Sequence, residues 1–342
     1  MSELVIGGAG FIGVNLAERL LQHGKKVVVF DNFSRKGTDK NIEWLKKNFP
    51  SVKVVKVDIR KDLMALENSV KDAENVYHMA AQVAVTTSVT NPREDFEINA
   101  LGTFNVLEAM RKTESNAMLV FASTNKVYGA LEQVEIEETA KRFDFKKLKK
   151  GVSEEMPLDF HSPYGCSKGA ADQYVRDYNR IYGLNTVVMR QSCIYGKRQF
   201  GIEDQGWVAW FSIATLLNKK ITLYGNGKQV RDVLDVRDLV DAFELVVKNK
   251  KKTTGEIFNV GGGPANAISL LEFLEILEHK LGKKISYKKA GERPGDQPVY
   301  ISNNKKIEKT LGWTPKISYK KGINDLVEWI TQNKETIKEV LQ

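Results

Sequence analysis

Apolar positions in the first half of the chain follow two alternating rhythms. Leu4–Ile6, Lys26–Phe30, Val52–Val57, Asn75–Ala80 and Ala117–Ser123 are short runs rich in apolar and β-branched residues, as buried strands require. Between them, Phe11–Gln22, Leu63–Val70 and Phe96–Arg111 repeat apolar residues at helical spacing. The alternation resumes with a helix over Pro163–Tyr182 and a strand over Thr186–Arg190. Strands and helices in strict alternation imply βαβ units and a parallel sheet. The expected class is α/β, with a doubly wound parallel sheet.

After residue 195 the rhythm loosens. Trp207–Leu217, Arg237–Val247 and Leu270–Leu281 read as helices, and Ile221–Tyr224 and Glu256–Asn259 as short strands. Gly261–Pro264 and Glu292–Gln297 carry the turn residues of loops. This predicts one domain over residues 1–195 and a smaller C-terminal α/β lobe over 196–342, with a cleft between them. Some elements are expected to cross back.

Composition narrows the class without naming a chemistry. Hydrophobic residues are 42% of the chain and charged residues 28%, which excludes a disordered chain, a collagen-like repeat and a disulfide scaffold. No run approaches the roughly 18 to 20 apolar residues of a membrane span. The start, MSELVIGGAGFIG, lacks a basic segment and has its apolar run broken by glycines, so no secretory leader is expected. Cys166 and Cys193 form no disulfide framework, which suits a reducing cytoplasm. The net charge of +9 gathers partly in Lys146–Lys150 and Lys250–Lys252, the ordinary solvated use of lysine. No nucleic-acid motif accompanies it, so neither nucleic acid nor membrane is an expected partner.

Gly7, Gly10 and Gly13 stand three residues apart, directly after the first strand and before the first helix. Gly7 permits a tight turn, Gly10 lets backbone approach a pyrophosphate, and Gly13 lets helix and strand pack closely. Asp31 closes the second strand, where a carboxylate accepts from ribose hydroxyls and repels a 2′-phosphate. The pattern predicts a Rossmann-type domain that binds NAD rather than NADP, although Arg35 and Lys36 leave an opening for NADP. A tight turn with a capping acid is the plainer alternative. Asp58 and Ile59 after the third strand could meet the adenine. Ala80 and Ala81 after the fourth are small enough to let a dinucleotide pass.

Tyr164 and Lys168 lie four apart in a predicted helix and face the same way. A neighbouring ammonium favours the phenolate, so Tyr164 can take a proton from a hydroxyl as hydride leaves carbon. Thr124 ends the fifth strand, at the sheet edge where ligands of such folds sit. No metal site is expected.

With these residues in place, the chain resembles the extended short-chain dehydrogenase/reductase family of nucleotide-sugar-modifying enzymes. The likeness rests on GGAGFIG, Asp31, VDIR, HMAAQ, NALGTFNVLEAM, STNKVYG, SPYGCSK, GNGKQVRDVLDVRDLV, FNVGGG and ERPGDQ, spread over nearly the whole length. It implies that Thr124, Tyr164 and Lys168 are catalytic. It also implies cofactor contacts from Phe11, Ile12, Asn32, Asn99, Ser192, Tyr164 and Lys168. Arg231 and Arg293 would grip a substrate diphosphate, with Asp296 near the nucleotide ribose and Asn125, Cys193 and Tyr224 as further substrate contacts.

Family members share an oxidation and differ in the step after it. Dehydratases carry an Asp-Glu pair after the Ser/Thr, where this chain has Asn125 and Lys126. Reductases that release product usually use NADPH, against which Asp31 argues. The remaining chemistry is that of an epimerase with tightly held NAD. STNKVYG, the stretch from DFHSPYGCSK, RQSCIYGKRQF and EDQGWVAWF resemble the branch that epimerises CDP-hexoses at C2. That implies a CDP-sugar substrate, oxidised transiently to a 2-keto sugar. Cys193 stands where 4-epimerases have Asn, so the diphosphate would be held differently here. Trp207 and Trp210 read as core or lid residues, and Glu203–Gly206 as a loop that meets the sugar. A 2- or 4-epimerase of another CDP- or UDP-hexose, and a non-catalytic NAD-binding protein, remain as alternatives. A homodimer through Phe96–Arg111 and Pro163–Tyr182, or a dimer of such dimers, is expected.

Overall fold

The computed structural model describes residues 1–293 and 295–342. Seven strands form the central sheet: β1 (Ser2–Ile6), β2 (Val27–Asp31), β3 (Lys53–Lys56), β4 (Ala73–His78), β5 (Met118–Thr124), β6 (Thr186–Gln191) and β7 (Ile257–Val260). Their spatial order is β7-β6-β5-β4-β1-β2-β3, with every neighbour parallel. The order reverses between β1 and β4, the place where doubly wound sheets open a crevice at their carboxyl ends.

Both faces of the sheet are covered because its strands are apolar on both sides. Helices Phe11–Gln22 and Val236–Lys248 bury Leu16, Leu20, Leu239 and Phe243 against Val5, Val29 and Val120. Helices Leu63–Lys71, Gly102–Lys112 and Ser162–Tyr182 bury Leu66, Val106, Leu107 and Val175 against Leu4, Val76 and Leu119 on the other face. Each such side chain contributes about 1.5–3 kcal/mol when removed from water.

The region expected as one helix over Phe96–Arg111 is three joined segments. Pro92–Phe96 is α-helical, Glu97–Leu101 is a π turn, and Gly102–Lys112 is α-helical again. Side-chain tightness accompanies the irregularity: a Cβ on Gly102 would stand 2.6 Å from Ile59 Cδ1.

Residues from both sides of position 195 build both layers. β7 and helix Val236–Lys248 return to the sheet layer from the C-terminal part. Conversely, Val127, Tyr128, Phe145 and Val152 pack with Val230, Val299 and Tyr300 in the smaller lobe. That lobe is built on strand Val230–Asp235, which pairs with Cys193–Tyr195, Ala267–Ser269 and Val299–Tyr300. The helices Thr38–Asn48, Tyr319–Gln332 and Lys334–Leu341 and the hairpin Ile136–Glu138/Phe143–Phe145 were not expected from the pattern. Among the described residues no helix is long and apolar enough to cross a membrane.

Candidate active site

The glycine loop begins the site. Gly7 has φ +80°, and a Cβ on Gly13 would stand 2.3 Å from the Gly7 carbonyl oxygen. Only hydrogen at these positions lets helix Phe11–Gln22 start so close to β1. That helix starts at Gly10 with no side-chain cap, which leaves its first N–H groups available to an anion. Asp31 ends β2, and its carboxylate accepts from the N–H of Ala9 at 3.0 Å and of Phe33 at 2.9 Å. Burial pushes this carboxyl up, while those two N–H groups pull it back.

Gly7, Gly10, Phe11, Ile12, Gly13, Asp31, Asn32, Asp58, Ile59, Ala80 and Ala81 line one groove. Asp58 is engaged by the Arg60 guanidinium at 2.6 and 2.9 Å, which holds its carboxyl below the usual range. An uncapped helix start beside a glycine cradle, with a carboxylate at the next strand end, fits a dinucleotide. Arg35 lines the same groove.

A cavity of about 520 Å³ adjoins it. Thr124, Asn125, Tyr164, Cys193, Tyr224, Arg231, Arg293 and Asp296 all line this cavity. Thr124 closes β5 and caps the short turn Asn125–Tyr128, its Oγ1 accepting from the Lys126 N–H at 3.2 Å. Tyr164 and Lys168 rise from helix Ser162–Tyr182, which has Pro in its first turn. Burial pushes the Tyr164 phenol up to about 12, opposed by the Thr124 hydroxyl.

Lys168 is buried too, and burial lowers its ammonium to about 7 against the pull of Asp172 and Asp95. It donates to the Ala122 carbonyl at 2.7 Å and lies 4.2 Å from the Phe121 ring centroid. Beneath it, His78 is fully buried and is pushed down to about 3, first by burial and then by Lys168.

Lys168, Asn99 and Ser192 stand behind the surfaces of groove and cavity rather than in them. Asn99, presented by the π turn, donates to the Gln82 carbonyl at 3.1 Å and accepts from the Gln82 N–H at 2.9 Å. It thereby fixes the segment that comes after β4. Ser192 donates to the Asp232 carbonyl at 2.8 Å and also contacts the Asp232 carboxylate.

Arg231 and Arg293 also line the cavity, each beside a carboxylate. Arg231 pairs with Asp296 at 2.5 Å. Arg293 donates to the Glu203 carbonyl at 3.0 Å and to Asp204 at 3.1 Å, with its guanidinium 3.9 Å from the Tyr224 ring centroid. Cys193 is held as a neutral thiol, since burial pushes it up to about 12. Trp207 lines the cavity, whereas Trp210 belongs to the core of the smaller lobe.

Three features of the site escape sequence reading. Lys126 lines the cavity and donates to the Gly295 carbonyl at 3.1 Å. Gln205 lies in the expected loop, but that it lines the groove as well as the cavity was not legible. Val83, Val85 and Val89 give the cavity an apolar wall. The Glu203–Gly206 loop does carry a legible signal, its polar run before two tryptophans.

The family described as GDP-mannose 4,6 dehydratase matches residues 4–326 of the chain. The chain belongs to that family. It is 45% identical over 336 residues to CDP-paratose 2-epimerase of Salmonella typhi, covering 96% of this chain and 99% of that one. UDP-glucose 4-epimerase of Mycolicibacterium smegmatis is 32% identical, with 96% and 98% covered. Among solved structures, dTDP-glucose 4,6-dehydratase of Streptomyces venezuelae with NAD bound superposes with TM-score 0.86 at 28% identity, covering 99% and 100%. UDP-glucuronic acid 4-epimerase of Bacillus cereus, with UDP-glucuronic acid and NAD, gives TM-score 0.81 at 27% identity, covering 97% and 99%. The chain thus shares its fold with these NAD-bound dehydratase and epimerase structures.

Proposed function

We propose that this protein is an NAD-dependent nucleotide-sugar epimerase that inverts C2 of a CDP-hexose of the CDP-paratose/CDP-tyvelose type. The observation that carries the reading is Thr124 and Tyr164 together in the wall of a cavity that Arg231 and Arg293 also line. The 45% identical relative narrows the substrate and the carbon. The groove's uncapped helix start and Asp31 support NAD as cofactor, held tightly so that the hydride is not lost between half-reactions.

NAD, when bound, supplies a reversible hydride acceptor and a positive ring. Tyr164 Oη removes the C2 hydroxyl proton, and Thr124 Oγ1 holds the same substrate oxygen. Lys168 lies one helical turn behind Tyr164, where its charge favours the phenolate. Arg231 and Arg293 hold the diphosphate while the 2-keto sugar turns to present its other face. Tyr164 then returns the proton to the inverted alcohol.

A second reading, epimerisation at C4, is favoured by the 32% identical UDP-glucose 4-epimerase. A CDP-hexose deuterated at C2 separates the two by NMR. Inversion at C2 with the label retained is expected, because hydride leaves and returns without meeting solvent. Tyr164→Phe should bind substrate yet lose roughly 10²–10⁴-fold in turnover. Label washed into water, inversion at another carbon, or near-normal Tyr164→Phe turnover would overturn the proposal.

A further inference from the structure

Lys126 lines the cavity. Its backbone N–H donates to Thr124 Oγ1 at 3.2 Å, and that hydroxyl in turn donates to Asn125 Oδ1 at 3.4 Å. Its side chain, only 17% exposed, runs to the segment that carries Asp296. There the ammonium donates to the Gly295 carbonyl at 3.1 Å and stands 3.5 Å from Asp296 Oδ1. Arg231 Nη2 lies 2.5 Å from that same oxygen. Two cations therefore share one carboxylate in the wall of a cavity.

Partly buried cations need compensation, and Lys126 and Arg231 share Asp296 while Glu203 and Asp204 stand with Arg293. Burial lowers the Lys126 ammonium to about 8, opposed by Asp296 and reinforced by the nearby Arg231 charge. An ammonium has three donors, of which Gly295 and Asp296 occupy two. An anion entering the cavity would meet the third.

We infer that Lys126 acts with Arg231 to anchor the substrate diphosphate, its ammonium held beside Asp296 by a backbone that shares the turn capped by Thr124. This rests on the reading of the site as an epimerase of a CDP-hexose. Because the same short turn carries the strand-end hydroxyl and the phosphate contact, the two would fix the sugar between them.

The test titrates the NAD-loaded protein with CDP and with cytidine by calorimetry. Lys126→Met should weaken CDP binding roughly tenfold to a hundredfold, the loss of one charged hydrogen bond, and leave cytidine unchanged. Lys126→Gln, which keeps a donor for Gly295 but no charge, should fall with it, and Lys126→Arg should restore most of the affinity. With the turned-over CDP-hexose, KM should rise more than kcat falls. Unchanged CDP affinity in both neutral variants, or equal weakening of cytidine, overturns the anchor whichever carbon is inverted. Wild-type inversion at C4 overturns the C2 reading by itself, and the CDP titration then decides the phosphate contact separately.

Discussion

Burial opposes the charged form of both Tyr164 and Lys168, lifting the phenol to about 12 and lowering the ammonium to about 7. A site prepared for proton transfer thus carries a cost that the folded protein bears elsewhere. For Lys168 the sign is definite. The unfolded chain binds this proton up to about pH 10.5 and the folded chain releases it near 7, so stability rises with pH across that window. In cofactor-free protein, Lys168→Met should therefore gain most relative to wild type below pH 7, with the gap closing toward pH 10, while the NAD-loaded variant should be inactive. Chemical denaturation at several pH values reads it, and a gap independent of pH would refute it. At this scale the sequence was informative where chemistry is local: the Tyr164–Lys168 spacing and the strand-end Thr124 are legible from position alone. Lys126 was not legible as a site residue, because its meaning comes from Gly295 and Asp296, far away in the chain. Ser192 and Asn99 show the converse, since both point into supporting networks rather than into groove or cavity.

Among the elements, the first helix came out as expected from end to end, Phe11–Gln22, because a glycine start and an unbroken apolar stripe define it. Leu270–Leu281 is equally sharp, held by a capping box of Ser269 and Glu272. Thr38–Asn48 was missed because Ile42 and Leu45 are its only buried apolar side chains, too few to reveal a period. The π turn at Glu97–Leu101 leaves no mark in a 3.6-residue pattern, yet it presents Asn99. Close approach at the glycine loop makes a direct test. Gly13→Ala would set a methyl 2.3 Å from the Gly7 carbonyl and 2.5 Å from Gly8 Cα, forcing the helix off β1. The expected result is about 1–3 kcal/mol of lost stability together with loss of retained NAD. Gly291→Ala, with nothing among the described residues within 4 Å of the added carbon, serves as the neutral control. Equal thermal midpoints and equal bound nicotinamide in the two variants would contradict this.

At the scale of the whole molecule, the helices Gly102–Lys112 and Ser162–Tyr182 lie side by side and share an aromatic strip, with Phe104 5.8 Å from Tyr174 and Tyr178 4.8 Å from Tyr182 between ring centroids. Tyr174, Ile181 and Tyr182 remain about half exposed or more, at 47%, 65% and 52%. A two-fold pairing of this face would cover them, so light scattering at micromolar concentration should give twice the monomer mass, and Ile181→Asp should lower it toward one. A wild-type monomer would dismiss the dimer. The parallel sheet was legible from alternation, but its outer strand was not assigned to it, because strand patterning carries no address for a distant partner. That late arrival bears on how the chain is made. Until Ile257–Val260 has left the ribosome, β6 stands as an open edge of Val187, Val188 and Met189 with half its peptide groups unpaired. Throughout that interval of synthesis the nascent chain exposes a sticky margin, and chaperone capture or self-association competes with completion of the sheet.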